Sequence, residues 1–186
     1  MASKRRPSRG KKINPTLYIF CEGDTEEAYI NLLKSEYRIP SIHIKTKIGR
    51  NDITKRFIDN YKNDKPTHEK DMDFLLYDLD VPKMLQRLQG INNCILLVSN
   101  PSIELWFLLH YKNQTAFITN KTCYRELENR NRQYKKGIID DKLKEKLIGR
   151  MKDAVKRAAK QKEFENPSST VHKLINILER LKADKT

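Results

Sequence analysis

Three short, uninterrupted runs of β-forming residues do most to limit the fold. They are Thr16–Cys21 (Thr-Leu-Tyr-Ile-Phe-Cys), residues 73–78 (Asp-Phe-Leu-Leu-Tyr-Asp) and residues 93–99, which contain Cys-Ile-Leu-Leu-Val. A strand with one wet face alternates apolar and polar residues. A run without that alternation predicts a strand covered on both faces, as in a parallel sheet between helices. The intervening segments fit. Residues 25–36 turn Ile30, Leu32 and Leu33 to one side of a helix, with Asp24 and Glu27 at capping-box spacing for its start. Residues 41–47 alternate as a half-buried strand does, and residues 52–62 set Ile53, Phe57, Ile58 and Tyr61 on one helical stripe. Pro82 suits the first position of a short helix, and Asn100-Pro101 starts another that runs to about Tyr111. Residues 14–111 thus read as a sheet of βαβ type with helices on its faces. Further helices are predicted over residues 122–134, 141–162 and 171–183, the last entered through Asn166-Pro167-Ser168-Ser169-Thr170. The expected division is a basic arm (1–13), an α/β core (14–115) and a helical, basic C-terminal extension (116–186).

Charge points to a polyanionic partner. The 186 residues carry a formal +14, unevenly spread. Residues 1–12 hold six basic groups and no acid, and residues 121–162 hold fifteen Lys or Arg against six Asp or Glu. The remainder is near neutral. Lys and Arg bind phosphates with release of counterions, so nucleic acid is the expected partner. Arg5, Arg6, Lys11, Lys12, Arg130, Arg132 and Lys135 are the candidate phosphate contacts. The first twelve residues are followed by no apolar stretch of the kind a secretory signal needs, and no apolar run approaches the ~18 residues of a membrane span. A cytoplasmic protein with no membrane partner is expected. Cys21, Cys94 and Cys123 are odd in number and far apart, which predicts reduced thiols and neither a disulfide framework nor a zinc site.

The acids at strand ends carry the chemistry. Ligands of open parallel sheets bind beyond the carboxyl ends of the strands. Glu22 follows the first run directly, with Gly23 beside it to let the backbone turn sharply. Asp78 and Asp80 finish the second run, and Glu104 falls in the first turn of the helix after the third. Each alone has a plain explanation, since a carboxylate at a helix start complements the helix dipole. Together they crowd like charges that a hard, oxygen-seeking cation would relieve, and Mg²⁺ or Mn²⁺ suits such a set. The apolar stretch Leu105-Trp106-Phe107-Leu108-Leu109 reads as core, not as a platform for bases. The four histidines have no ligand spacing, and no phosphate-binding glycine loop occurs.

A strand ending in Glu-Gly, a helix, and a later strand ending in Asp-x-Asp resembles the TOPRIM fold of topoisomerases, bacterial primases and related nucleases. More narrowly, Phe20-Cys21-Glu22-Gly23-Asp24-Thr25-Glu26, Asp78-Leu79-Asp80 and the segment from Ser99 to Tyr111 (Ser-Asn-Pro-Ser-Ile-Glu-Leu-Trp-Phe-Leu-Leu-His-Tyr) resemble the RloB-like family, as do Tyr134-Lys135-Lys136 and the late Asn166-Pro167-Ser168. The resemblance implies a TOPRIM-like α/β core with a mostly parallel central sheet, and a nuclease of bacterial anti-phage defence, often encoded near an ATPase partner. It implies Glu22 as metal ligand or general acid/base, Asp78 and Asp80 as Mg²⁺ ligands, Glu104 at a second metal position, and Lys135 or Lys136 against the developing phosphorane charge. On that reading Asp78→Ala removes turnover while sparing the fold. Two other classes compete. A haloacid-dehalogenase or receiver-type phosphotransfer domain also gathers acids at strand ends, but the dehalogenase motif belongs on the first strand. A non-catalytic subunit that binds nucleic acid or a defence partner is the other.

Overall fold

The structure, a computed structural model, describes residues 14–184. The three apolar runs are neighbouring parallel strands: β1 (Thr16–Cys21), β3 (Met72–Asp78) and β4 (Cys94–Asn100). β2 (His43–Ile48) pairs parallel with the other side of β1, and β5 (Ser168–Ser169) pairs antiparallel with β4. The sheet order is β2-β1-β3-β4-β5. Successive side chains of a strand point to opposite faces, and here both faces are covered. Leu17, Ile19, Cys21, Phe74, Leu76 and Leu97 pack into the larger core with helices α1 (Asp24–Tyr37), α4 (Ile103–Leu108) and α8 (His172–Ala183). Tyr18, Phe20, Leu75, Tyr77 and Val98 pack on the other face with Ile58 of α2 (Lys55–Lys62) and with Met84 and Leu88 of α3 (Met84–Gln89). Two-sided burial is the physical reason that these runs show no alternation.

The chain is an α/β protein with a mostly parallel sheet flanked by helices, a Rossmann/TOPRIM-like arrangement. Several boundaries differ from expectation. α2 begins at Lys55, not Asp52, because Thr54 caps it, its side chain accepting the Phe57 N–H at 3.1 Å. Pro82 lies in a turn ahead of α3, whose N-cap Lys83 has φ 66°. α4 starts at Ile103 after Ser102, and Tyr111 lies in the turn beyond it. α5 (Asn120–Arg130) is capped by Thr119 and ends before Tyr134. The segment expected as one helix over 141–162 is two, α6 (Asp141–Gly149) and α7 (Met151–Ala158), broken at Arg150 behind Gly149, a poor helix former.

The C-terminal region is continuous with the core. Leu143, Leu147, Ala154, Val171 and Leu174 share the cluster that holds Leu17 and Trp106. Ser168 and Ser169, expected to lead into a helix, form β5 instead. Thr170 donates its N–H to Val98 O at 2.8 Å and accepts the Val98 N–H on its hydroxyl at 2.8 Å. This segment covers the edge of β4 that would otherwise present unpaired backbone groups.

Candidate functional site: an acidic cleft at the strand ends

All four parallel strands end on one side of the sheet, and the acids gather there. Glu22 is the first residue past β1. Its N–H donates to Leu76 O of β3 at 3.0 Å, and its Oε2 accepts the Asp78 N–H at 2.8 Å, tying the two strand ends together. The helix start lies one residue earlier than the sequence suggested. Gly23 is the N-cap of α1, and Glu26, third in the helix, accepts the Gly23 N–H on Oε2 at 3.0 Å. Glu27 instead accepts the Thr46 hydroxyl of β2 at 2.9 Å. Nor does Gly23 make a sharp turn. Its backbone is extended, with φ −151°, a conformation open to any residue.

Asp78, the last residue of β3, uses Oδ1 to accept the N–H of Ile103 at the start of α4, at 2.8 Å. Asp80 accepts the side-chain amide of Asn120, at the start of α5. Glu104 is only 2% exposed. Its Oε1 accepts the Tyr134 hydroxyl at 2.9 Å and its Oε2 the Ser102 hydroxyl at 2.7 Å. Lys136 reaches to 3.7 Å from Glu104 Oε1, yet its side chain stays 63% exposed. The loop carrying Lys136 is fixed by Gly137, whose N–H donates to Thr25 Oγ1 at 2.9 Å. Gly137 has φ +77°, the left-handed region that favours glycine, and lies close against Asp24.

These groups line one open cleft of about 300 Å³, walled by Glu22, Glu26, Asp78, Asp80, Glu104 and Lys136 with the backbone at Gly23 and Gly137. Crowding shows in the protonation equilibria. Burial, together with the charges of Glu22 and Glu104, pushes Glu26 up to about 7. Asp78 keeps some exposure as a residue, but its carboxyl is desolvated. Burial first, then Glu26, Glu104, Glu22 and Asp80, hold it well above the carboxylate range. Glu22 is raised by burial and by Asp80, against the Asp78 N–H and Lys136, which pull it down. Lys136 loses some affinity for its proton through desolvation, but Glu104, Asp78, Glu26 and Asp80 outweigh this and raise it. Carboxyls crowded in this way are relieved by protons, by Lys136 or by another cation.

Among the described residues, no three His, Cys, Asp or Glu side chains stand close enough to hold one ion between them. The donor set still fits a hydrated hard cation. Asp78, Glu22 and Asp80 each have one oxygen oriented by a protein donor, and the second has no hydrogen-bond partner among the described residues. Asn120 Oδ1, beside Asp80, is buried and also has no partner among the described residues. Donors that orient one oxygen of a ligand and leave the other available are what a metal site's outer shell supplies. Mg²⁺ needs few carboxylates, keeping waters and substrate phosphates as its other ligands.

The structure thus brings together five of the residues singled out from sequence: Glu22, Asp78, Asp80, Glu104 and Lys136. It adds Glu26, at 5% exposure, together with Ser102 and Tyr134. The spacing from Gly23 to Glu26 was the available signal, had the N-cap been read at Gly23. Arg130 shares the Glu126 carboxylate with Lys112, and Arg132 and Lys135 are exposed outside the cleft lining. Arg5, Arg6, Lys11 and Lys12 lie outside the described residues. Leu105 through Leu109 are fully buried, as core.

Fold and cleft together define an α/β protein with an acidic site at the carboxyl edge of a mostly parallel sheet. The family model for RloB-like protein matches residues 17–178, and the chain belongs to that family. No curated protein and no solved structure matches it. No helix among the described residues is long and apolar enough to cross a membrane.

Proposed function

We propose that this chain is a Mg²⁺- or Mn²⁺-dependent nuclease that hydrolyses phosphodiester bonds of DNA or RNA. One observation carries the reading: Glu22, Asp78 and Asp80 meet in one cleft, each with one oxygen oriented by the protein and one unpaired among the described residues. Asp78 and Asp80 would hold the hydrated cation, and Glu22 would reach it only through a water or move the proton. A bound divalent cation supplies charge neutralisation at the phosphate and acidifies a water. Glu26, raised to about 7 and buried in the same cleft, suits proton exchange near neutrality. Glu104 has both oxygens occupied by Tyr134 and Ser102, so its part is to hold Lys136 at the cleft, where the ammonium faces the developing phosphorane charge. The family resemblance supports a role in anti-phage defence beside an ATPase partner.

The test is cleavage of end-labelled DNA and RNA in Mg²⁺, Mn²⁺ or EDTA, with and without the neighbouring ATPase. Asp80 is exposed, so Asp80→Ala should fold normally, bind Mn²⁺ weakly by calorimetry and lose at least a hundredfold in cleavage, as loss of metal affinity would give. Metal-dependent cleavage at the wild-type rate by Asp80→Ala would reject the assignment. A second reading draws on the separation of the acids: a non-catalytic subunit that binds nucleic acid or a protein partner. Metal-independent binding with no cleavage under any of these conditions would favour it.

A further inference from the structure

Among the described residues, the large apolar side chains left exposed are Val81, Phe117 and Ile138, and each lies within three residues along the chain of a group at the acidic cleft. Val81 follows Asp80, and Ile138 follows Gly137, both of which line it. Phe117 precedes by three residues Asn120, whose amide donates to Asp80. Scattered exposed apolar residues are ordinary on a protein surface, but these three fall on the three chain segments that carry Asp80, Asn120 and Gly137 to the cleft.

Phe117 is the most exposed of them, at 74%, and its mount is rigid. Its neighbour Ile118 is buried and exchanges two hydrogen bonds with the Asn166 side chain. Its N–H donates to Oδ1 at 3.0 Å, and its carbonyl accepts from Nδ2 at 2.8 Å. On the other side, Thr119 caps α5. Two residues before Ile118, Ala116 O accepts the Gln114 side-chain amide at 2.7 Å. A ring held out by a fixed backbone can bind with little further ordering, which preserves the affinity of the contact. Exposed Lys121, Arg132 and Lys135 belong to the same basic region, so a polyanion is favoured over an acidic or neutral surface. The flat face of an aromatic ring next to a phosphate site matches the alternation of base and phosphate in an unpaired strand. In a duplex the bases are already stacked on one another and closed to such a ring.

We infer that Phe117, with Val81 and Ile138, forms an apolar rim on which unpaired bases of the nucleic-acid substrate stack beside the acidic cleft. The inference rests on the nuclease reading for the substrate's class and adds its single-stranded character. The test uses the full chain in EDTA, where no cleavage occurs. Probes are fluorescein-labelled oligothymidylate and oligouridylate, with a mixed-sequence blunt DNA duplex as the control.

Phe117→Ala should weaken binding of the single strands by about 5- to 150-fold, the range that loss of one stacked base gives. Phe117→Trp should retain it, Phe117→Leu should behave like alanine, and duplex binding should not change. Wild-type single-strand affinity in Phe117→Ala would overturn the inference, as would an equal loss on the duplex or full affinity in Phe117→Leu. Unchanged oligonucleotide binding with loss of a wild-type self-association in sedimentation would overturn it too, and assign the rim to a protein contact. These outcomes leave the nuclease reading standing when wild-type cleavage and its Asp80 dependence persist. Absence of any nucleic-acid binding or cleavage by the wild type would overturn both.

Discussion

Asp78 works with both of its oxygens. Oδ1 accepts the Ile103 N–H and so ties the end of β3 to the start of α4, while Oδ2, without a hydrogen-bond partner among the described residues, is the oxygen that the proposed cation would use. A carboxylate supporting only a metal would be removed at no cost in stability, which is why sequence alone suggested that Asp78→Ala would spare the fold. The structure changes that expectation. Alanine leaves the Ile103 N–H, in a 1% exposed residue, without its acceptor, a loss on the order of 1–3 kcal/mol offset in part by relief of repulsion. Asp78→Asn keeps an acceptor oxygen and removes the charge. Denaturant unfolding should therefore find Asp78→Asn at least as stable as wild type and Asp78→Ala below it, both without cleavage. Equal stability of the two variants would show that the Ile103 contact contributes nothing. Gly137 gives a second test at this scale. At φ +77° and close against Asp24, alanine is strained by about 1 kcal/mol or more, and the strain falls on the loop that presents Lys136. Gly137→Ala should lose both stability and cleavage, whereas Gly149→Ala, with open space around it in a helix, should gain slightly in stability. Full cleavage by Gly137→Ala would detach Lys136 from the chemistry.

Elements differ in how plainly the sequence announces them. β1, β3 and β4 were legible because burial on both faces leaves an unbroken apolar signature, and α1 and α8 because their apolar positions recur at helical spacing. Glu22, Asp78 and Asp80 were legible because they interrupt such signatures at their ends. β5 was not, since two serines carry no apolar pattern. Its pairing comes from Thr170, from the Ser99–Ser169 hydroxyl contact at 3.0 Å and from long-range contacts that no local window contains. Glu26 was missed for a related reason, because its role follows from where the N-cap falls. The Thr170 hydroxyl both accepts the Val98 N–H and donates to Leu96 O at 3.0 Å, so Thr170→Val conserves shape and removes both bonds. That variant should lose about 1–3 kcal/mol in equilibrium unfolding, with faster amide exchange along the outer edge of β4. Unaltered exchange at Val98 would mean that the edge is held without this hydroxyl, by packing and by the backbone pairing that includes the residue 170 N–H to Val98 O.

At the scale of the whole molecule, the cleft sets stability against charge. Glu26 is raised in the folded state from the ordinary 4.5 to about 7, so over that interval the native protein binds more protons than the unfolded chain. Stability from this group is therefore fully present below about 4.5 and is lost as pH rises to about 7, by roughly 3 kcal/mol at most. Asp78 and Glu22, raised by the same burial and crowding, act in the same direction. Other carboxylates of the protein titrate as well, so the difference between wild type and Glu26→Gln isolates the effect. Glutamine cannot ionise, and its amide oxygen can still accept the Gly23 N–H. In EDTA the two proteins should have similar melting temperatures near pH 4.5, and the variant should melt several degrees higher at pH 7.5. Adding Mg²⁺ at pH 7.5 should raise the wild type more than the variant, because a cation that binds the folded cleft stabilises it by mass action and relieves the repulsion that Glu26 shares. A pH-independent difference would remove Glu26 from the charged cluster. A pH-dependent difference that Mg²⁺ leaves untouched would keep the cluster but deny it the cation, and with it the metal-dependent reading of the site.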